Sequence, residues 1–135
     1  MASKKTERPL SPHLFIYKPM LSMTLSVMHR ATGMAMYFGT LVAAWWFMSL
    51  AMGAEAYEFF AWVMGSWVGM IVLVGFTWVL FHHMFGGIKH FFWDFGKGFE
   101  LETVEHVAKL AVVVPVCTTI IVWAFGLLLI SGGGL

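Results

Sequence analysis

Charge is scarce in this chain, and the places where it is missing are the first information it gives. Of 135 residues, 8 are Lys or Arg and 7 are Asp or Glu, a charged share of 11% beside a hydrophobic share of 60%. Soluble domains carry about a quarter charged residues, so a water-soluble globule is excluded. Three stretches, 31–54, 59–88 and 110–135, hold no Lys, Arg, Asp or Glu, and each exceeds 20 residues. A helix of ~20 residues, rising 1.5 Å per residue, crosses a ~30 Å hydrocarbon core. The pattern predicts an all-α membrane protein with three transmembrane helices, over roughly residues 25–52, 59–90 and 107–131. Cysteine is nearly absent too. Cys117 is the only one, which excludes an intrachain disulfide, and inside the third span it reads as a small apolar filler. A secretory signal peptide is not expected: the first apolar run is too long for one and lacks an A-x-A site. The N-terminus also lacks the Arg-rich, acid-poor stretch of a transit peptide, so the expected address is a bacterial inner membrane, crossed several times.

What charge there is stands in a pattern. Lys4, Lys5, Arg8, Lys18 and Arg30 precede or open the first span, and Lys89, Lys97 and Lys109 flank the connection between the second and third. The connection around Glu55 and Glu58 has no basic residue, and neither has the C-terminus. All the positive charges thus fall on one side, which the positive-inside rule makes cytoplasmic. The N-terminus is expected inside and the C-terminus outside.

Residues 1–21 carry Pro9, Pro12 and Pro19 and are expected to form an extended cytoplasmic segment, leaving 22–135 as the membrane domain. Ser22 is a candidate N-cap for the first helix. Ala31, Ala35, Gly39 and Ala43 recur every four residues, and Gly65-x-x-x-Gly69 repeats the spacing on the second span. Small residues at this interval let helices approach closely in lipid, within the chain or against a second membrane subunit. Pro115 is expected to kink the third helix, its freed carbonyl being satisfied by a neighbouring group.

Polar side chains gather at one membrane depth. Ser26 and Arg30, four apart, share a helical face, with His29 beside them. His82, His83 and His90 stand at the end of the second span. Titratable groups at such depth mark functional sites by default, and imidazole is a good ligand for iron, zinc or copper. His83 and His90 lie on the same face, ~10.5 Å apart along the axis, and cannot both be axial ligands of one haem iron. A second ligand would come from His29 or from a partner chain. Arg30, His29 and Lys89 suit haem propionates or the carbonyl oxygens of a quinone. On spacing alone, a haem or metal role for His82 or His83 stands beside a buried structural hydrogen bond. The blander readings are a headgroup role for the lysines, an interfacial aromatic belt around His90, and a solvated His106; His13 carries no decisive signal.

Three motifs, Arg8-Pro-Leu-Ser-Pro-His-Leu-Phe-Ile-Tyr17, Ser26-Val-Met-His-Arg-Ala-Thr-Gly33 and His83-Met-Phe-Gly-Gly-Ile-Lys-His-Phe-Phe-Trp-Asp-Phe-Gly96, together resemble the cytochrome b large membrane-anchor subunit of succinate dehydrogenase (respiratory complex II) in its mitochondrial and alphaproteobacterial form. The resemblance covers nearly the whole chain. It implies partnership with a small membrane-anchor subunit, an iron–sulfur subunit and a flavoprotein subunit in the lipid bilayer, with no nucleic acid. It also implies haem b and, as substrate, ubiquinone. The family's His-x-x-x-Gly-Ile-Arg-His motif assigns the haem iron to His83 rather than His82, with the second axial histidine on the small anchor subunit. His29 and Arg30 match residues near the propionates, Ser26 and Arg30 match residues of the quinone site, and Asp94 matches a position with a structural role. Lys89 departs from the family's Arg, keeping the charge but losing the planar fork. Two other readings stand beside this one: a cofactor-free helix-packing subunit of another membrane complex with structural histidines, and an intramembrane metal-handling protein using His82, His83 and His90. The last is disfavoured, because no embedded carboxylate or further thiolate completes a path.

Overall fold

A computed structural model describes residues 17–132. They form four helices: α1 (Leu21–Met52), α2 (Ala54–Gly65), α3 (Trp67–Asp94) and α4 (Leu101–Gly132). Three of these, α1, α3 and α4, are long and apolar enough to cross a membrane. Helices of 32, 28 and 32 residues run about 40–50 Å, so they overshoot a ~30 Å hydrocarbon core into the headgroup layers. That explains why they extend beyond the expected spans: the charge-free stretches mark the hydrocarbon, not the helix ends. The expected extended segment 1–21 lies mostly outside the described residues, but Tyr17–Met20 is irregular as expected.

Two expectations need correction. The helix N-cap is Met20 rather than Ser22, which sits inside the first turn. More consequentially, the second span is not one helix from 59 to 90. It breaks at Ser66, whose ψ of 160° leaves the helical region. The Ser66 hydroxyl oxygen accepts from Gly69 N–H at 3.2 Å, capping α3, and the Ser66 N–H donates to the Val63 carbonyl at 3.2 Å, closing α2. Gly69 is buried under the last turn of α2, where a Cβ would overlap the Met64 and Val63 backbone, whereas Gly65 faces open space. Within the chain, Gly69 therefore serves a sharp corner between α2 and α3 rather than a packing face on one long helix.

The bundle packs α3 between α1 and α4, with α2 folded against α1 and α3. Its buried apolar centre is small: Leu25 of α1 with Ala108 and Ala111 of α4, and Met28 half-buried beside them. The large side chains point outward, among them Leu128, Ile130, Ile121 and Phe38, the reverse of a soluble core and the expected state of surfaces facing lipid or other subunits. Of the four-residue stripe on α1, Gly39 packs against the Phe76 ring, while Ala31 and Ala43 stay exposed. Hydroxyls inside the spans turn back on their own helices, Ser49 to Trp46 O and Thr77 to Leu73 O, the usual way to satisfy them without water. One bond crosses between helices here, Trp123 Nε1–H to Thr77 Oγ1 at 3.2 Å. Cys117 faces outward on α4, so it fills no internal space.

Candidate functional site

Where α1 begins and α3 ends, the polar residues singled out in the sequence come together. His29 and His83 stack face to face, ring centroids 4.0 Å apart and planes 11° from parallel. Two reciprocal hydrogen bonds hold them. His29 Nε2–H donates to the His83 backbone carbonyl at 3.2 Å, and His83 Nδ1–H donates to the His29 carbonyl at 3.1 Å. Thr32 Oγ1 lies 3.4 Å from the same His83 nitrogen while its own proton goes to the Met28 and His29 carbonyls. Glycine makes the approach possible: a Cβ on Gly86 would overlap the His29 ring, and one on Gly33 would stand 2.9 Å from His83 Cε1. His90 joins the edge of the pair, its ring 5.4 Å from that of His29, so His83 and His90 do share a face.

The bonds assign a chemical state to His83. With Nδ1–H given to a carbonyl, a neutral imidazole presents a bare lone pair at Nε2, and Nε2 makes no hydrogen bond among the described residues. A backbone carbonyl on the far nitrogen is the support that metal-bound histidines commonly have. His29 is bonded in the reciprocal sense, its Nε2–H given to the His83 carbonyl and its Nδ1 without a hydrogen bond among the described residues. His82 does not join them. It is 3% exposed and turned to α4, where Nδ1–H reaches the Ala111 carbonyl at 3.2 Å. His82, His83 and His90 thus fail to converge, and no cluster of three or more His, Cys, Asp or Glu able to hold a metal ion occurs among the described residues. The three-histidine metal site weighed from the sequence is therefore not formed among the described residues.

Ser26 and Arg30 stand on the exposed side of α1, with an Arg30 guanidinium N–H donating to Ser26 Oγ at 3.3 Å. The serine proton and the remaining guanidinium protons are left to point at an outside acceptor. Lys89 is engaged elsewhere, its Nζ 4.5 Å over the Trp93 ring, a cation–π contact. Asp94 ends α3 and is exposed; His106 is exposed beside Glu102 at 3.8 Å. His13 lies outside the described residues. Sequence reasoning did not assign roles to Gly33, Gly86 or Thr32. The first two carried a signal, glycines placed four residues after His29 and three after His83; Thr32 carried none.

Comparison with known proteins gives the chain a family. The model of the succinate dehydrogenase/fumarate reductase transmembrane subunit family matches residues 4–122. The chain belongs to that family. It is 36% identical over 122 residues to the succinate dehydrogenase cytochrome b556 subunit of Paracoccus denitrificans, a match covering 87% of this chain and 94% of the relative. The corresponding subunit of Rickettsia bellii is 40% identical over 117 residues, covering 87% and 91%. A cytochrome b560 subunit of Reclinomonas americana is 30% identical over 121 residues, covering 86% and 84%. The match to this transmembrane-subunit family contains all three motifs, so the resemblance read from them holds, as does the multi-pass membrane architecture.

Proposed function

We propose that this chain is a membrane-anchor subunit of a succinate:ubiquinone oxidoreductase, that it binds haem b jointly with a partner subunit, and that it helps form the site of ubiquinone reduction. The observation that carries the reading is His83: Nδ1 engaged by the His29 carbonyl, Nε2 bare, the ring seated on Gly33. That donor state fits an axial ligand of haem iron. His29 and His83 lie face to face with ring centroids 4.0 Å apart, too close for a haem to lie between them, so they would not share one iron. One ligand from this chain then requires a second from elsewhere, and the small membrane-anchor subunit known in such complexes is the natural source. His29 and Arg30 are the groups here that would hold propionates. When bound, the haem would supply a one-electron reservoir next to the quinone.

The chain's own contribution to quinone reduction rests on Ser26 and Arg30. Their mutual hydrogen bond orients the serine proton and the guanidinium toward one acceptor, and together they would bind a quinone carbonyl and stabilise negative charge growing on it. The other members of the assembly would be the iron–sulfur and flavoprotein subunits, docked on the side that carries the basic residues. By the positive-inside rule that side is the cytoplasm of a bacterial inner membrane, with the C-terminus outside, and protons for the quinone would enter from there.

The test is an optical difference spectrum of the complex purified through a tag on this chain, first with succinate and then with dithionite. A b-type signal raised by succinate is expected. Absence of haem in a preparation that retains its partners overturns the cofactor reading. It would favour the second one, a cofactor-free packing subunit, because the reciprocal histidine bonds could hold α1 to α3 unaided.

A further inference from the structure

Adjacent histidines on α3 donate to opposite sides: His82 Nδ1–H to the Ala111 carbonyl of α4 and His83 Nδ1–H to the His29 carbonyl of α1. The acceptor on α4 is a particular one. Proline at 115 has no N–H to return to the carbonyl four residues earlier, and that carbonyl is Ala111's. Pro115, Ala111 and His82 are all buried, where an orphan carbonyl is expensive. His82 is therefore the surrogate donor for a bond that proline removes. Its ring is fixed further by stacking on Trp78 one turn earlier, centroids 5.2 Å apart and planes 13° from parallel. Successive helical side chains are turned by about 100°, so anchoring His82 on α4 sets the rotation of α3 that turns His83 to α1.

We infer that His82 is a positioning residue for the haem ligand: by donating to the carbonyl freed by Pro115, it locks the rotation of α3 and so holds His83 against α1. The inference rests on the reading of His83 as ligand, but the clamp can be tested apart from it. The variants are His82→Leu, which removes the donor; His82→Asn, whose amide N–H stands where Nδ1–H did and which has no counterpart of Nε2; and Pro115→Ala, which restores a backbone N–H to Ala111. Each is made in the assembled complex, and haem content, haem midpoint potential and thermal inactivation are measured.

His82→Leu is expected to lower haem retention several-fold and shift the potential of what remains. His82→Asn should keep both near wild type, and Pro115→Ala should make His82→Leu nearly harmless. His82→Leu with unchanged haem and potential but a lowered inactivation temperature would reduce His82 to a packing residue and overturn the inference. Asn as damaging as Leu would mean that the buried Nε2, which has no hydrogen-bond partner among the described residues, matters instead of Nδ1. Strictly additive effects of the 82 and 115 substitutions would show that the Ala111 carbonyl is not what His82 serves. Should the wild-type complex lack haem, the ligand reading fails, while additivity in thermal inactivation still decides the clamp.

Discussion

Rings seated on glycines join α1 to α3 at two levels of the bundle, and the two levels do different things. Near the end of α3, His83 rests against Gly33 and His29 against Gly86; about two turns back along α3, Phe76 rests against Gly39. The steric device is the same: an absent Cβ lets an aromatic ring reach the opposing helix axis. At Gly39 the ring is hydrocarbon and the contact is packing alone. At Gly33 and Gly86 the rings bring nitrogens, each helix supplies a carbonyl to receive one of them, and two, His83 Nε2 and His29 Nδ1, are left over. Close packing of helices thus does not by itself mark a site. The polar atoms that the packing leaves unspent mark it.

The sharpest way to break this contrast is to turn one kind of seat into the other. His83→Phe keeps a ring on Gly33 but removes both nitrogens. Haem absorbance should vanish from the purified complex, while the loss of one hydrogen bond costs about 0.5–1.5 kcal/mol of bundle stability. Retention of the b-type band in this variant would exclude His83 as ligand. Arg30→Ala should lower succinate-driven ubiquinone reduction by about a hundredfold, the usual consequence of deleting one donor to a developing oxyanion, with dye-linked succinate oxidation preserved. Equal loss of both activities would mean failed assembly rather than a quinone site. Gly39→Ala and Gly86→Ala come next, because in both the new Cβ overlaps a ring. Each should destabilise the complex by about 1–3 kcal/mol, measured by thermal inactivation. Only Gly86→Ala should also perturb the haem spectrum, since only there is the displaced ring bonded to the histidine proposed as ligand.

Much of this was legible in the sequence, and the exceptions have physical causes. Charge-free stretches located all three spans, because hydrocarbon excludes ionised groups whatever the fold. Ser26, His29, Arg30, His83 and His90 could be put at one depth by spacing. The corner at Ser66 was hidden, since a serine within an apolar run looks like any small residue; only the packing of Gly69 under Met64 shows that it caps a new helix. The start of α4 at Leu101 was missed by six residues because Glu100, Glu102 and Glu105 read as connection, although charged residues form helices readily outside the hydrocarbon. His82 and His83 could not be told apart by periodicity, since both follow the same apolar run; the motif favoured His83, and their acceptors on α4 and α1 separate them in space.

The smallest expected effects test whether glycine matters near the histidines for the reason given. Gly33→Ala places a Cβ 2.9 Å from His83 Cε1, a conflict relieved by moving the ring a few tenths of an ångström. The His83 bond to the His29 carbonyl resists that movement, so a cost near the low end of overpacking, about 1 kcal/mol, should accompany a shifted haem band without haem loss. Gly87, on the same helix, has nothing within 4 Å of a built Cβ. There alanine removes only glycine's conformational freedom and should stabilise the helix by up to ~1 kcal/mol, leaving the spectrum unchanged. If Gly87→Ala proved as damaging as Gly33→Ala, sensitivity at this end could not be ascribed to the seating of His83. The likeness to the Phe76 seat on Gly39 would then be one of shape only, with the surface around Gly87 carrying a contact that this chain alone does not contain.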